Sequence, residues 1–270
     1  MEFLEKLTKN PYGDLLWNVP ERKQGVVAVV GGNEQSFRAV VKTAEFLMGE
    51  YPLQEVRVVA PDALNGKLPP VEGVTLLSST KSGSFADGDE LVASMEGADW
   101  NLVIGDLSKN AITAQAMREA LTKAVKPVMV TRDAVDLIAE PGVDQLLLRE
   151  GLVVFGSLVQ LGKLLHAAYY PKVLMASQSL VQVAEALHKF TLSYPTQVIT
   201  LHDGQILVCS EGRVVALPLE LSGYSPFMIW SGECAAQVTA MNLYSPGKFI
   251  EASVCGILGG NSSGDRKRFM

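Results

Sequence analysis

Few side chains in this chain stand at spacings with a known chemistry, and most of those fail on context. Gly260-Asn261-Ser262-Ser263-Gly264 has the Gly-x-Ser-x-Gly spacing of a hydrolase elbow, whose strained turn presents a serine to a carbonyl. That mechanism needs an acid and a histidine further along the chain. Six residues remain and none is histidine, so the match is accidental. No Gly-x-Gly occurs, which removes the usual dinucleotide fingerprint. Neither Gly162-Lys163 nor Gly247-Lys248 has the upstream glycine or the following Ser/Thr of a phosphate-binding P-loop. His166 and His188 lie in helix-like segments away from any Cys or His at ligand spacing, and read as surface or helix-edge residues. Cys209, Cys234 and Cys255 are widely separated and form no Cys-x-x-Cys pair, so they signal neither a disulfide framework nor a zinc site.

The bulk numbers narrow the classes further. A chain of 270 residues fits one large α/β domain or two small ones, and 48% hydrophobic residues supply ample core. With no long polar linker and no internal repeat, the expectation is one domain over 1–270, with residues 1–24 as an extension and 261–270 as a flexible tail. The net charge is −6 and the basic residues are scattered, which argues against a nucleic-acid partner. The basic cluster Arg266-Lys267-Arg268 reads as part of a frayed, solvated terminus. The opening MEFLEKLTKN lacks the apolar core of a signal peptide, and no apolar stretch approaches the roughly 20 residues that span a bilayer. The expected setting is therefore soluble and cytoplasmic, away from membranes.

Seven short apolar runs, at 26–30, 56–60, 74–77, 102–105, 128–131, 152–155 and 197–201, read as strands. Most are apolar at consecutive positions rather than alternating, as expected where helices cover both faces of a sheet. Phe37, Val40, Val41, Ala44, Leu47 and Met48 repeat at helical spacing, as do Ile112, Ala116, Ala120 and Leu121 behind Asn110 as N-cap. Strand–helix–strand units of this length predict right-handed crossovers and a parallel sheet. Residues 206–209 and 214–217 flank Ser210-Glu211-Gly212-Arg213 as a hairpin near one edge, and helices follow at about 232–243 and 248–258. The predicted class is a three-layer α/β fold with a mainly parallel central sheet.

In order and spacing, residues from about 25 to 260 resemble the ribokinase-like fold, and specifically the ADP- or ATP-dependent NAD(P)H-hydrate dehydratases. Residues 26–30 followed by Gly31-Gly32-Asn33 are similar to that family's opening strand and Gly-Gly-Ser/Asn turn. Ala98-Asp99-Trp100-Asn101-Leu102-Val103-Ile104-Gly105 resembles its strand into a glycine-rich, nucleotide-side loop, here Gly105-Asp106-Leu107-Ser108. Pro127-Val128-Met129-Val130-Thr131-Arg132-Asp133-Ala134-Val135 is similar to its Pro-Val-Val-Leu-Asp-Ala-Asp-Ala-Leu. Val198-Ile199-Thr200-Leu201-His202-Asp203-Gly204 stands where the family has a strand ending in Leu-Lys-Gly, and Trp230-Ser231-Gly232-Glu233 where it has Gly-Thr-Gly-Asp.

The resemblance implies repair of hydrated NADH or NADPH, in which a nucleoside phosphate phosphorylates the substrate hydroxyl and phosphate is then eliminated. It implies ATP or ADP as cofactor and admits Mg2+. It also implies a nucleotide or NAD(P)H-like ligand and a homo-oligomer. By the same resemblance Glu233 takes the place of the catalytic base. Ser231, Gly232, His202, Asp203, Gly204 and Asp106 fall on the nucleotide and anion side, and Gly31, Gly32, Asn33 and Asp133 on the substrate side. All are expected to converge outside the carboxyl ends of the strands.

The departures bear on activity. Trp230 replaces a glycine that lets backbone approach phosphate. Glu233 replaces Asp, and an ångström of displacement can cost about 100-fold in rate. His202 replaces Lys, Ser36-Phe37-Arg38-Ala39 replaces Tyr-x-Gly-Ala, and Gly105-Asp106-Leu107-Ser108 lacks the density of Gly-Pro-Gly-Leu-Gly. The Pro-His-x-Gly-Glu segment falls at Phe155-Gly156-Ser157-Leu158-Val159 and keeps none of those residues. Together they favour a non-catalytic or altered binding or scaffold protein, occluded by Trp230 or Arg38. A working dehydratase and a small-molecule kinase of the same fold are the alternatives.

Overall fold

A computed structural model describes residues 2–69 and 73–259. The serine motif at 260–264 and the basic tail at 266–268 lie outside the described residues. Ten strands form one sheet: β1 (Leu4–Lys6), β2 (Val26–Gly31), β3 (Glu55–Pro61), β4 (Val74–Leu77), β5 (Trp100–Gly105), β6 (Val128–Thr131), β7 (Leu152–Phe155), β8 (Gln197–His202), β9 (Gln205–Ser210) and β10 (Arg213–Pro218). Their spatial order is β1-β10-β9-β8-β7-β6-β5-β2-β3-β4. From β4 across to β8 every neighbouring pair is parallel, and β8, β9 and β10 form an antiparallel meander.

Helices cover both faces of this sheet: α1 (Arg38–Glu50), α2 (Gly88–Glu96), α3 (Ala111–Lys123), α4 (Asp133–Ile138), α5 (Val143–Leu147), α6 (Leu158–Ala167), α7 (Leu180–Ser193), α8 (Leu219–Ser222), α9 (Glu233–Tyr244) and α10 (Phe249–Gly259). The consecutive apolar runs now have their reason. In β2, Ala28 and Val30 pack into the layer holding α2 to α7, while Val27 and Val29 pack into the layer holding α1, α9 and α10. In β5, Val103 faces the first layer, and Leu102 and Ile104 the second. Side chains alternate between faces, and each face meets a helix layer, so no position on these strands is polar by default.

Capping sets where several of these helices begin. Asn110 accepts from the Thr113 N–H at the start of α3, and Asp87 from the N–H groups of Asp89 and Glu90 at the start of α2. Ser157-x-x-Gln160 and Ser179-x-x-Gln182 form capping boxes on α6 and α7. The buried face of α3 runs through Thr113, Ala114, Ala116, Met117, Ala120 and Leu121, which turns Ile112 out to solvent.

Two regions differ from the sequence reading. Within the extension, over residues 2–24, β1 pairs in parallel with β10, and the 3-10 turn Gly13–Asn18 packs against the second core layer through Leu15 and Leu16. The hairpin at 206–217 is the outer half of a longer meander, because Asp203 and Gly204 (φ 50° and 67°) turn β8 directly into β9. Positive φ at both central residues makes a two-residue turn whose twist suits paired strands. Among the described residues no helix is long and apolar enough to cross a membrane.

Leu102, fully buried in the middle of the sheet, reports on this architecture. Leu102→Ala should cost about 2–5 kcal/mol in urea unfolding. Val125→Ala, at a position 81% exposed, should stay within about 0.5 kcal/mol of wild type.

Candidate functional site

The carboxyl ends of β2, β5, β6 and β7 meet the turn that enters α9, and the polar residues there are bound to one another. Gly32 donates its N–H to the Gly105 carbonyl at 2.9 Å. A Cβ on Gly31 would lie 2.3 Å from that same carbonyl oxygen, so glycine at 31 serves the close approach of β2 to β5. Asn33 donates from Nδ2 to the Asp106 carbonyl at 2.6 Å and accepts from the N–H groups of Gln35 and Ser36, which closes its own turn.

Asp133, the first residue of α4, accepts the N–H of Asp106 on one carboxylate oxygen and that of Leu107 on the other, both at 2.9 Å. Asp106 is itself buried. Its Oδ2 accepts from the Ala39 N–H in α1 at 3.1 Å, and its Oδ1 pairs with Arg132 Nη2 at 2.9 Å. Arg132 reaches across with Nη1 to the Trp230 carbonyl at 3.4 Å, leaving its buried Nε without a partner among the described residues. Asp106 and Arg132 both hold left-handed backbone, with φ 56° and 57°.

At this cluster opens a cleft of about 600 Å³, bordered by Asp106, Arg132, Asp133, Asp136, Ser157, Val159, Gln160, Lys163 and Trp230. The Gln160 amide donates to the Arg132 carbonyl and to Asp136 Oδ2, and Lys163 pairs with Asp136 Oδ1 at 2.6 Å. Burial pushes the Asp136 carboxyl up, but the hydrogen bonds from Lys163 and Gln160 outweigh it and hold the group below the ordinary carboxylate value. The Trp230 ring packs against Phe155, with centroids 5.4 Å apart.

Gly232 caps α9 in left-handed geometry (φ 105°). A Cβ there would lie 2.5 Å from Thr43 Oγ1 and 2.9 Å from Ile104 Cδ1, so the turn needs glycine for both conformation and space. Ser231 Oγ is buried with no partner among the described residues. Glu233 begins α9, half-buried and with no hydrogen bond among the described residues. Of residues 230–233, only Trp230 borders the cleft.

The sequence-derived residues thus divide. Gly31, Gly32, Asn33, Asp106 and Asp133 form one hydrogen-bonded cluster, which Arg132 ties to the turn carrying Ser231, Gly232 and Glu233. His202, Asp203 and Gly204 do not border the cleft. His202 is buried and donates from Nε2 to the Gln178 carbonyl, and the other two make the β8–β9 turn. Arg38 is exposed at the start of α1 and has no place in the cluster. The cation that enters the cluster is Arg132, which stands where the resembled motif has alanine. Asp136, Gln160 and Lys163 were also missed. The Ser157-x-x-Gln160 capping signature and the i, i+3 pairs Asp133/Asp136 and Gln160/Lys163 were the available signals.

No family model matches the chain, and no curated protein does. Solved structures do. A ribokinase-like superfamily protein from Enterococcus faecalis V583 is 15% identical, with TM-score 0.66 over 100% of this chain and 90% of that one. A hypothetical protein from Streptococcus mutans is 11% identical, with TM-score 0.66 over 96% and 91%. An ADP/ATP-dependent NAD(P)H-hydrate dehydratase from Bacillus subtilis, co-crystallised with ATP/Mg2+ and soaked with CoA, is 13% identical, with TM-score 0.62 over 93% and 86%. The chain has the ribokinase-like fold.

Two measurements follow from the geometry. Asp133→Asn leaves one backbone N–H without its charged acceptor and should destabilise by about 1.5–3 kcal/mol, whereas Glu233→Gln should change stability by less than about 0.5 kcal/mol. Because the folded Asp136 carboxyl sits below its unfolded value, its contribution is present above about pH 4 and lost as pH falls through the folded value. Lys163→Met should therefore cost under about 1 kcal/mol at neutral pH, and its difference from wild type should vanish in acid. Urea unfolding across pH checks both.

Proposed function

We propose that this protein is a non-catalytic ligand-binding relative of the ribokinase-fold enzymes, its cleft taking a nucleotide or nucleotide-like molecule without phosphoryl transfer. The observation that carries this reading is the commitment of the acidic residues. Asp133 holds both the Asp106 and the Leu107 N–H groups, and Asp106 holds Ala39 and Arg132. A carboxylate already accepting two hydrogen bonds is a poor base, and a loop whose N–H groups are taken offers no cradle to phosphate.

The donor set does not fit Mg2+. Asp106 and Asp133 are held by N–H donors, and the described residues contain no group of three or more His, Cys, Asp or Glu able to hold a metal. A nucleotide fits in part. The 600 Å³ cleft lies in the range of about 300–1,000 Å³ for small-molecule sites. Trp230 offers a ring for stacking, and Lys163, although paired with Asp136, keeps further N–H donors for an anionic group.

One observation favours a second reading, an active lyase or kinase of this fold. Among the described residues Glu233 is a carboxylate without a partner, at the N-terminus of α9 beside the equally unpartnered Ser231 hydroxyl. Two assays separate the readings. In thermal unfolding with ATP, ADP, AMP, NADH or NADPH, the binding reading expects saturable stabilisation by at least one, about 2.7 kcal/mol at 100 times its dissociation constant. In the same preparation, hydrated NADH with ATP or ADP should release no NADH above background. Turnover that disappears in Glu233→Gln would establish the second reading, because that substitution keeps shape and removes the basic carboxylate.

A further inference from the structure

A second hollow lies at the opposite end of the sheet from the cleft. It spans the amino ends of four adjacent parallel strands, at Trp100 of β5, Pro127 before β6, Gly151 before β7 and Gln197 of β8. The connection between α9 and α10 closes it, and its volume is about 270 Å³. The usual ligand position in open α/β sheets is the carboxyl end, so this hollow needs its own chemical argument.

That argument starts from Asn242, on the last turn of α9 and only 4% exposed. Both amide hydrogens are occupied: Nδ2 donates to the Val238 carbonyl at 2.9 Å and to Ser253 Oγ at 3.0 Å. These bonds fix which end of the carboxamide is oxygen, since the Val238 carbonyl can only accept. Asn242 lines the hollow, and its Oδ1 accepts no hydrogen bond from the described residues. Gln197 and Ser210 add a second carboxamide and a hydroxyl, joined to each other only by a long 3.5 Å contact. The rest of the wall includes Trp100, 9% exposed, and Phe249, 7% exposed. Arg213, paired with Glu251 at 2.9 Å, and Glu211 also line the hollow, one cation against two carboxylates.

We infer that this hollow is a binding site for a small, planar ring bearing an amide or lactam group. Aromatic walls favour a flat apolar body, and the free acceptor of Asn242 calls for an N–H donor. The Gln197 carboxamide supplies the complementary pair. At about 270 Å³ the space holds one ring system and falls short of a drug-sized molecule. The site is separate from the cleft, so the two stand or fall independently.

The test uses Trp100 as reporter. The chain has three tryptophans, so Trp17→Phe with Trp230→Phe leaves the one in the hollow and silences the cleft. Uracil and benzamide are titrated as probes, with toluene as the ring that lacks an amide. The expected result is a saturable change in Trp100 emission with dissociation constants below about 1 mM for at least one amide probe, and binding of toluene at least about tenfold weaker. Asn242→Leu should weaken the amide probe roughly tenfold. Should the lost Ser253 bond unfold that variant, Gln197→Leu carries the same expectation, because Gln197 makes no stronger tertiary bond than its 3.5 Å contact. An absent saturable response, toluene binding as well as the amides, or affinity unchanged in the folded variant would overturn the assignment.

Discussion

The carboxylate of Asp133, accepting the N–H groups of Asp106 and Leu107, is the contact on which the carboxyl end of this sheet depends. It joins the end of β6 to the loop leaving β5, and every other polar contact there is built on the loop it holds. With the Asp106 backbone fixed, its carbonyl receives Asn33 from the β2 turn, and its side chain receives Ala39 from α1 and Arg132 from β6. Arg132 then reaches the Trp230 carbonyl, just before α9. One carboxylate so fixes the relative placement of segments spread over some 200 residues, from Asn33 to Glu233.

The arrangement carries strain, and magnitudes show why it persists. Left-handed backbone at a residue with a Cβ costs roughly 1–2 kcal/mol, and Asp106 and Arg132 both adopt it. Against this stand charge-assisted hydrogen bonds, worth about 1.5–3 kcal/mol each, and four of them involve Asp106 and Asp133 side chains. The contacts outweigh the strain even when each is taken at its lower value. The same balance restricts chemistry. Releasing Asp133 would remove two of these four bonds and loosen the β5–β6 junction.

Legibility in the sequence followed the range of the interactions. All seven strands read from apolar runs are present within a residue or two, because a run buried on both faces needs no knowledge of its partners. The Asn110 cap was legible for the same local reason. The order of motifs brought Gly31, Asn33, Asp106, Asp133 and Gly232 to one end of the sheet. What could not be read was which side chain bonds to which. Arg132 looked like an ordinary residue beside Asp133, and nothing local announces φ 57° or a reach to residue 230. His202 looked like a replaced lysine, whereas its burial against the Gln178 carbonyl depends on a loop 24 residues away in sequence. The parallel pairing of β1 with β10 was invisible because three residues, of which only Leu4 is partly buried, carry no period.

The helix α9 connects these observations to the opposite end of the molecule. Its buried residues run from Cys234 to Asn242 without a polar stripe, so it is a core element enclosed on all sides. Twelve residues at about 1.5 Å each carry it roughly 18 Å, from the Gly232 turn at the carboxyl end of the sheet to Asn242 at the amino end. Two glycines fix its position. At Gly232 a Cβ would strike Thr43 of α1 and Ile104 of β5, and at Gly256 of α10 a Cβ would come within 3.0 Å of the Gln237 carbonyl oxygen. Pinned against α1 and α10 at backbone distance, the helix has no room to rotate or slide independently. The position of Trp230 at the cleft and the direction of the Asn242 carboxamide at the hollow are thus set by the same packing. A substitution that enlarges either glycine must disturb both ends together, because close-packed cores transmit a displacement rather than absorb it.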